Sequence, residues 1–534
     1  MSVEAKIPIV VGVTGHRRIR EQDHSVIFEA VKTELRKLQE QCPHSSLVML
    51  SSLAEGGDLL CADAAETLGI SLIAALPRPL EDYEKDFSEE AKLRLLHHCA
   101  RAEQVFVAPH TEALPERSTL RDFQFRQAGI YVASHSHVLL ALWDGGPGTA
   151  TACGTADAVD FVLSGSYLPR SGIPLRSGSN ETVIHLFTPR AEHNEKAAGT
   201  VHVLGDRDAV SEILRRTDGF NLQAEKVRAD AASRLPEGAS DDPCLMRQEK
   251  IGRIAGKLSR VSAKRFRRVL ALLAVASSLL TFAFLMYDSA HAIWMILVCG
   301  FMLLAAWLFH RYAVRSDCHR CYIEYRALAE CLRVQTYLRY AGSCLQVADL
   351  LTWTQQKETS WIMAALCALG IGPEPLVPHN IQDCWVETQR EYHREAATRS
   401  HRNLTVSDRT VQTALILSVM LYMSAVLFEL FFGGLLLQPL VPLQDVESIR
   451  TVLKISLGTL SAMTLFVSNF YGRLSLPRTL SDHRKMAQFY TKISARLEQY
   501  GQTEELLTVL AREELIENGN WCSYQRDNKP DVSF

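Results

Sequence analysis

IPIVVGVTGHR, residues 7–17, is the stretch of sequence that decides the fold of the N-terminal half. Its apolar, mostly β-branched run Ile7–Val13 predicts a buried β-strand. The strand ends in a small polar turn, Thr14–Arg17, and an amphipathic helix follows from about Asp23 to Glu40. A buried strand that leads through a glycine-containing turn into a helix is typical of α/β domains with a parallel sheet.

Strand-like and helix-like segments alternate over residues 1–220. Further strands are predicted at Leu47–Leu50, Ser71–Leu76, Val105–Ala108 and Val138–Trp143. This alternation favours a parallel sheet with helices on both faces, in which ligands bind outside the carboxyl ends of the strands. We assign residues 1–235 to a cytosolic α/β domain and residues 236–245, which begin with the turn-rich PEGASDDP, to a linker.

Three small, polar turns that contain glycine follow the carboxyl ends of predicted strands. Glycine there allows backbone N–H groups and helix N-termini to approach a phosphate group, so the turns predict a nucleotide-like ligand. The candidate ligand-binding residues are Thr14, Gly15, His16, Arg17, Ser52, Glu55, Gly56, Gly57, Asp58, Asp144, Gly154, Thr155 and Asp157.

Structural alternatives for these residues stay open at this point. Tight turns between strands and helices need glycine even without a ligand. Arg17 suits bidentate phosphate binding and also suits a solvated surface. Asp58 and Asp157 could accept hydrogen bonds from a sugar or base, or cap a helix N-terminus. Glu55 could supply a carboxylate for hydrolysis, or be a surface residue near the start of a helix.

Four apolar segments after residue 265 can each cross a bilayer core of about 30 Å, which needs roughly 20 residues. The predicted spans are Val269–Tyr287, Ala292–Phe309, Val411–Leu437 and Val452–Tyr471. They pair as two hairpins, one in residues 246–370 and one in residues 380–534. A buried core helix could explain one such run but not four in pairs, so we predict an all-α membrane region with two transmembrane hairpins.

Basic residues cluster before the first and third predicted spans and after the second and fourth, where the spans lead into long segments of the chain. These residues are Lys264, Arg265, Arg267, Arg268, Arg311, Arg315, Arg320, Arg399, Arg402, Arg409, Arg473, Arg478 and Arg484. The opposite loops contain Asp288, Asp445 and Glu447, with Arg450 and Lys454 as exceptions. The positive-inside rule therefore places both termini and residues 310–410 on the cytoplasmic side of the plasma (inner) membrane, and no signal peptide is expected at the N-terminus.

The fourth predicted span is the most polar of the four. Ser461, Thr464 and Ser468 share one helical face by their i, i+3, i+7 spacing. This face favours either close helix packing or the lining of a pore in a homo-oligomer, because four spans are too few to enclose a wide pore. Glu429, near the outer end of the third span, suits the membrane interface or ion selectivity.

Composition excludes several classes of protein. The chain has 57 Lys and Arg residues and 60 Asp and Glu residues, so its net charge is −3. This near-neutral balance argues against a nucleic-acid-binding protein. Thirteen cysteines without framework spacing indicate free thiols in a reducing compartment. Cys318 and Cys321 have no second pair of cysteines or histidines at the spacing of a zinc site. His97 and His98 lie on a predicted helix without a clear partner ligand. No metal is therefore expected.

The N-terminal motifs resemble the SLOG superfamily, the Rossmann-like group that joins DNA-processing protein A, the LOG phosphoribohydrolases and the N-terminal regions of melastatin-type channels. The resemblance covers about residues 5–220. It is carried by Val-Thr-Gly-His-Arg (13–17), Leu-Ala-Glu-Gly-Gly-Asp (53–58), Pro77 with Tyr83–Phe87, and Trp-Asp-Gly with Gly-Thr-Ala-Asp (143–157). It implies a Rossmann-like sensor of nucleotides. Ala152 replaces the catalytic glutamate of LOG enzymes, so the resemblance implies sensing and no assigned catalytic residue or cofactor.

The C-terminal half resembles the SLATT family, whose membrane effector domains accompany SLOG sensors. Trp385–His393 looks like that family's helix before its first span, and Glu513, Glu517, Asn518 and Trp521 look like its closing helix. The resemblance implies a membrane effector of a bacterial conflict or anti-phage system that opens a pore when a nucleotide-derived signal binds. Two alternatives stay open: a membrane-anchored nucleotide hydrolase of LOG type, and a tethered sensor or scaffold that does not conduct.

Overall fold

A computed structural model describes residues 6–110, 119–147, 154–164, 182–190, 197–227, 242–290, 292–375, 377–432, 443–473 and 476–527. Most of the predicted linker, 236–241, and the end of the third predicted span, 433–437, lie outside these residues. The chain folds into two compact units. The first comprises Met1–Leu258, Glu324–Cys384 and Tyr500–Trp521, and the second Ser259–Ile323, Trp385–Gln499 and Cys522–Phe534.

The described part of the first unit contains a seven-stranded sheet. Its strands are β1 (Ile9–Gly15), β2 (Leu47–Ser51), β3 (Ser71–Leu76), β4 (Gln104–Val107), β5 (Val138–Trp143), β6 (Thr182–Phe187) and β7 (Val201–Gly205). Their spatial order is β4-β3-β2-β1-β5-β6-β7, with β1 to β6 parallel and β7 antiparallel to β6. The chain runs outward from β1 to β4 and returns to β5 beside β1, so the strand order reverses between β1 and β5.

Helices cover both faces of this sheet. They are α1 (His24–Gln41), α2 (Gly57–Thr67), α3 (Leu80–Tyr83), α4 (Glu89–Arg101), α5 (Leu120–His135), α6 (Thr155–Ser164) and α7 (Arg207–Ala224). Because side chains alternate along a strand, Val11 packs with Val31 and Leu35 of α1 on one face, whereas Val10 packs with Val132 of α5 on the other. The predicted α/β domain with a mainly parallel sheet is confirmed.

The rest of the described chain is mostly helical, as predicted. The helices are α8 (Pro243–Ser289), α9 (Met295–Ser316), α10 (Cys318–Tyr340), α11 (Val347–Leu350), α12 (Trp353–Glu358), α13 (Ser360–Leu369), α14 (Thr388–Phe431), α15 (Leu443–Arg473), α16 (Leu476–Tyr500) and α17 (Glu504–Asp527). A helix of more than 40 residues followed by two shorter helices thus occurs twice, as α8 to α10 and as α14 to α16.

Among the described residues, two helices are long and apolar enough to cross a membrane. They are α8, which contains the first predicted span, and the helix Gln382–Phe431, which includes α14 and contains residues 411–431 of the third predicted span. The apolar part of α9, Met295–Phe309, is a shorter helix. The second and fourth spans stay predictions.

The apolar helix α13 belongs to the core of the first unit. All its residues from Trp361 to Leu369 are buried, and Ala368 packs with the strands of the sheet. The Trp361 indole N–H donates to Glu324 of α10 at 3.0 Å, and Glu324 also accepts from Arg216 of α7 at 2.7 Å. Helices α10 and α13 therefore contact the α/β domain through Glu324 and Ala368.

Helices α9 and α10 are separated by one residue in the left-handed region, Asp317, with a φ of 46°. Aspartate tolerates this conformation better than most residues. The helix that contains much of the second predicted span and the helix that follows it are therefore separated at this residue. Its carboxylate accepts from Arg320 at 2.7 Å, which ties the break to the first turn of α10.

Candidate ligand site

A cleft of about 590 Å³ opens where the strand order reverses, at the carboxyl ends of β1 and β5. Many of the predicted ligand residues come together around it. Those that line the cleft are Thr14, Gly15, His16, Arg17, Ser52, Asp58, Gly154, Thr155 and Asp157. In open α/β sheets this position is where ligands bind, and nine of the thirteen candidate residues line it.

Glycine is required where β1 meets the start of α2, because the two backbones touch. The Gly57 N–H donates to the His16 carbonyl at 2.9 Å, and a Cβ on Gly15 would lie 2.8 Å from the Cα of Gly57. Gly56 has a φ of +96°, and a Cβ there would lie 2.3 Å from the Arg17 carbonyl oxygen. These glycines hold the turn after β1 against α2, and they serve the ligand site by positioning its backbone.

The turn between β2 and α2 is strained and is held by a buried carboxyl group. Leu53 is fully buried and has a φ of 54°, which costs roughly 1–2 kcal/mol for a residue with a Cβ. Its N–H donates to Ser51 Oγ at 3.0 Å. Asp58 Oδ2 accepts from Ser51 Oγ at 3.2 Å and from the Ala54 N–H at 3.3 Å. Asp58 thus fixes the turn that carries Ser52 to the cleft.

Asp58 is itself an unusual carboxyl group. Only 3% of its surface is exposed, and burial raises its pKa to about 7, although the bonds from Ala54 and Ser51 and the charge of Arg17 act in the opposite direction. A carboxyl group that gains or loses a proton near neutral pH inside a cleft is a candidate for ligand-linked protonation or acid–base chemistry.

His16, Asp144 and Arg190 contact one another at one side of the cleft. The Asp144 N–H donates to His16 Nε2 at 3.0 Å, and the Arg190 side chain lies 2.9 Å from Asp144 Oδ2. Burial, aided by Arg190, lowers the pKa of His16 and so favours the neutral form of its imidazole. The predicted ligand residue Asp144 therefore binds its protein neighbours beside the cleft, and Arg190 lines the cleft.

Arginine side chains surround a single aromatic ring at the cleft. The guanidinium carbons of Arg17, Arg121 and Arg78 lie 5.1, 5.6 and 5.8 Å from the centroid of Phe125. Arg78 and Arg121 also pair with Asp86. Arg17 is exposed and forms no salt bridge within the described residues. Cation–π contacts hold these guanidinium groups at the site, and Arg17 is left available to an anion.

Tyr83 provides a buried hydrogen-bond donor at the cleft. Its side chain is fully buried, lines the cleft and packs edge-on against Phe87 and Phe125. Within the described residues its hydroxyl has no hydrogen-bond partner. Burial raises its pKa, so the hydroxyl stays protonated. A buried polar group without a partner costs roughly 1–3 kcal/mol, which a ligand acceptor would recover.

Two predicted carboxylates have local structural roles. Glu55 accepts from Ser88 Oγ at 2.6 Å and does not line the cleft. Asp157 lines the cleft, but its Oδ2 accepts from the Gly154 N–H at 2.9 Å. This bond closes the first turn of α6, in keeping with the helix-capping alternative for Asp157.

The predicted pore-lining residues lie on α15. Ser461 and Ser468 are exposed and Thr464 is half-buried, with the Thr464 hydroxyl donating to the Leu460 carbonyl at 2.8 Å. On the same helix, a Cβ on Gly458 would lie 2.7 Å from Leu285 Cδ1 of α8. Close packing between α8 and α15 therefore uses Gly458, whereas Ser461 and Ser468 are exposed among the residues that the structure describes.

The same second unit pairs the intramembrane candidate Glu429 with a basic residue. Its carboxylate accepts two hydrogen bonds of 2.6 Å from the Arg450 guanidinium. The pair joins α14 to α15. Arg450, an exception to the charge pattern of the outer loops, thus has a structural partner on the neighbouring helix.

Sequence reasoning missed several residues of the cleft. They are Tyr83, Arg121, Phe125, Arg126 and Arg190. None of them belongs to a glycine turn after a strand. The signal that could have found two of the α5 residues is the four-residue spacing of Arg121 and Phe125, since positions i and i+4 share a face of a helix.

The geometry is that of a cationic cleft with an aromatic ring, a buried hydroxyl donor and a carboxyl group that titrates near neutral pH. Comparison with known proteins adds no assignment: no protein-family model matches the chain, and no curated protein matches it.

Proposed function

We propose that the chain is a ligand-gated membrane effector, in which the α/β domain binds a nucleotide-derived signal and the helical region responds by opening a pore or disrupting the bilayer. The cleft carries this proposal. Its arginines suit phosphate groups, and Phe125 suits a base stacked beside guanidinium planes. The Tyr83 hydroxyl suits an acceptor on the ligand, because it has no other hydrogen-bond partner among the described residues.

The position of the cleft supports a Rossmann-like domain of the SLOG type. It lies at the reversal between β1 and β5, where doubly wound sheets bind nucleotides. The first turn of α6 also lines it, through Gly154 and Thr155, and a helix N-terminus favours negative charge. Arg17, which lacks a salt bridge within the described residues, is the first candidate for a phosphate contact.

In this proposal the helical region crosses the plasma (inner) membrane four times. Two helices of sufficient length and apolar character support it, and residues 292–309 and 452–471 supply the other two spans. The distribution of basic residues supports cytoplasmic N- and C-termini and a cytoplasmic 310–410 segment. The two halves, 246–370 and 380–534, then act as SLATT-like two-span units.

The pore itself is assigned to a homo-oligomer. Ser461 and Ser468 are exposed on α15 of a single chain, and a polar stripe in a membrane should face protein or water. A second copy of the chain or a water-filled pore would cover it. The motif resemblances support placing such an effector in a bacterial conflict or anti-phage system.

A membrane-anchored nucleotide hydrolase is the second candidate, and Asp58 favours it. A carboxyl group whose pKa is raised to about 7 by burial can act as a general acid or base near neutral pH. Its place in the cleft would put it close to a bound nucleotide.

The test uses the purified full-length protein in dye-loaded liposomes. Nucleoside monophosphates, cyclic dinucleotides, cyclic oligonucleotides and ADP-ribose derivatives are added in turn, and dye release, binding and product formation are measured. We expect one class to bind and to release dye. Arg17→Ala and Arg121→Ala should each weaken that binding by about tenfold or more, since a hydrogen bond to a charged group contributes roughly 1.5–3 kcal/mol.

Arg36→Ala is the matched control, because Arg36 is an exposed arginine of α1 that does not line the cleft. Binding without dye release would overturn the effector in favour of a tethered sensor or scaffold. Product formation that is lost in Asp58→Asn would replace it with the hydrolase.

A further inference from the structure

Two adjacent histidines on α4 meet the carboxyl-terminal end of α2. Glu66 of α2 lies beside His97 and His98, and one potential metal-binding atom from each of the three side chains lies within 4.8 Å of the others. A cavity of about 210 Å³ is lined by Glu66, His98 and residues 69–71, the last of which is the first residue of β3. The cluster therefore sits at the amino end of the parallel strands, away from the carboxyl ends that form the ligand cleft.

The distances inside the cluster are close to those of a metal site. His97 Nε2 lies 3.0 Å from Glu66 Oε2, and His98 Nδ1 lies 3.9 Å from the same oxygen. Ligands bound tetrahedrally at about 2.0–2.1 Å from zinc are about 3.3 Å apart. The side chains of His97 and Glu66 are 52% and 34% exposed. Both can therefore move by the few tenths of an ångström that separate the observed distances from those between zinc ligands.

His98 is already oriented as metal-binding histidines are. Its side chain is only 3% exposed, and its Nε2 lies 2.7 Å from Asp63 Oδ1. Arg94 pairs with the second oxygen of Asp63, so this carboxylate is held in place. A carboxylate that accepts the Nε2–H of a histidine fixes the ring and leaves the Nδ1 lone pair for a metal.

We propose that Glu66, His97 and His98 form a binding site for a divalent transition-metal ion, with zinc as the best fit. Two imidazoles and one carboxylate are a ligand set that zinc accepts, and it leaves the fourth position open. Water from the adjacent cavity would fill that position. The bound ion would join α2 to α4. Helix α2 is also the helix whose first turn lines the candidate ligand cleft, through Asp58.

Arg101 competes with the ion for Glu66. Its Nε lies 2.9 Å from Glu66 Oε1 in an exposed salt bridge, which holds the carboxylate in the metal-free protein. Metal binding must break or weaken this salt bridge. Removal of Arg101 should therefore tighten metal binding, whereas a network of ordinary salt bridges would give no such effect.

The experiment uses the full-length protein in detergent after removal of metals with a chelator. Zn²⁺ is titrated in competition with a chromophoric chelator, and Co²⁺ is added separately as a spectroscopic probe. We expect one site per chain, with Co²⁺ absorption that lacks a thiolate charge-transfer band. The chain has many free cysteines, so this band would reveal binding to thiols in place of the proposed site. His97→Ala and Glu66→Gln should each weaken the site at least tenfold, and Arg101→Ala should strengthen it.

His44→Ala is the matched control, because His44 is a partly exposed histidine beside another glutamate, Glu225. Thermal unfolding with and without Zn²⁺ checks each variant, since an ion that binds only the folded state raises the melting temperature. The proposal is overturned if His97→Ala binds as the parent does, if Arg101→Ala leaves the affinity unchanged, or if Co²⁺ reports thiolate ligands. Failure of nucleotide binding at the cleft leaves this site unaffected.

Discussion

At the scale of single residues, the buried carboxyl group of Asp58 links the stability of the protein to pH. Its carboxyl group holds the strained turn around Leu53 through Ser51 and Ala54. Burial also raises its pKa from 3.8 to about 7. The folded protein thus retains a proton that the unfolded chain releases at a lower pH, so folding becomes less favourable as the pH rises from about 4 to about 7.

Asp58→Asn should remove this pH dependence. At pH 8 the variant should be more stable than the parent by up to roughly 4 kcal/mol. The two should converge below about pH 3, because the parent carboxyl is then protonated in both the folded and the unfolded state. Unfolding followed across this pH range measures the difference. Glu225→Gln is the control of opposite sign, since its bond to Lys6 lowers the pKa of Glu225 and its contribution is lost as the pH falls. A parent–variant difference that is constant with pH would contradict the role of Asp58.

At the scale of elements, the contact between β1 and α2 shapes the cleft. The Gly56 backbone has a positive φ and lies against the carbonyl groups of His16 and Arg17, which cannot move aside as a flexible side chain can. Gly56→Ala should therefore destabilise the first unit by roughly 2 kcal/mol or more and weaken ligand binding by displacing Arg17.

Gly145→Ala separates backbone strain from close contact. Gly145 also has a positive φ, 78°, but nothing lies within 4 Å of a Cβ placed there. Its substitution should cost only about 1–2 kcal/mol, from backbone strain alone. Thermal unfolding and ligand binding of the two variants compare these effects. Equal losses would show that the contact between β1 and α2 does not matter.

The sequence predicted these elements well where their signals are local. Buried apolar runs identified β1 and its parallel neighbours β2, β3 and β5, because such strands need apolar residues on both faces. Arg190 and Tyr83 could not be placed at the cleft in this way, since they reach it only through tertiary folding. The Asp317 break was also missed, because aspartate in the left-handed region leaves no distinct pattern in the sequence.

At the scale of the whole molecule, the division into units could not be predicted from the order of segments. Residues 324–384 follow apolar helices, yet α13 packs on the sheet domain because its apolar side chains fit against α5 and α7. Helix α10 contributes Cys318–Ile323 to the second unit and its later residues to the first. This covalent continuity makes α10 a candidate route between ligand and membrane.

Arg216 tests that route. It joins α7 to Glu324 of α10 at 2.7 Å, while Glu324 also accepts from Trp361. If the effector proposal holds, Arg216→Ala should keep the parent affinity for the nucleotide signal but lower dye release at saturating ligand by roughly fivefold or more, the usual scale of coupling between sites. Liposome leakage and equilibrium binding on the same samples measure the two quantities.

Arg215→Ala is the matched control, because the neighbouring arginine bonds only to Glu212 among the described residues. It should release dye as the parent does. Glu324→Gln keeps an acceptor for Trp361 but loses the charge pairing with Arg216, so it should reproduce the Arg216→Ala defect without leaving a buried carboxylate unpaired. Full dye release by a stable Arg216→Ala protein would show that ligand binding reaches the membrane helices by another path, of which α8 is the next to test because it too contributes residues to both units.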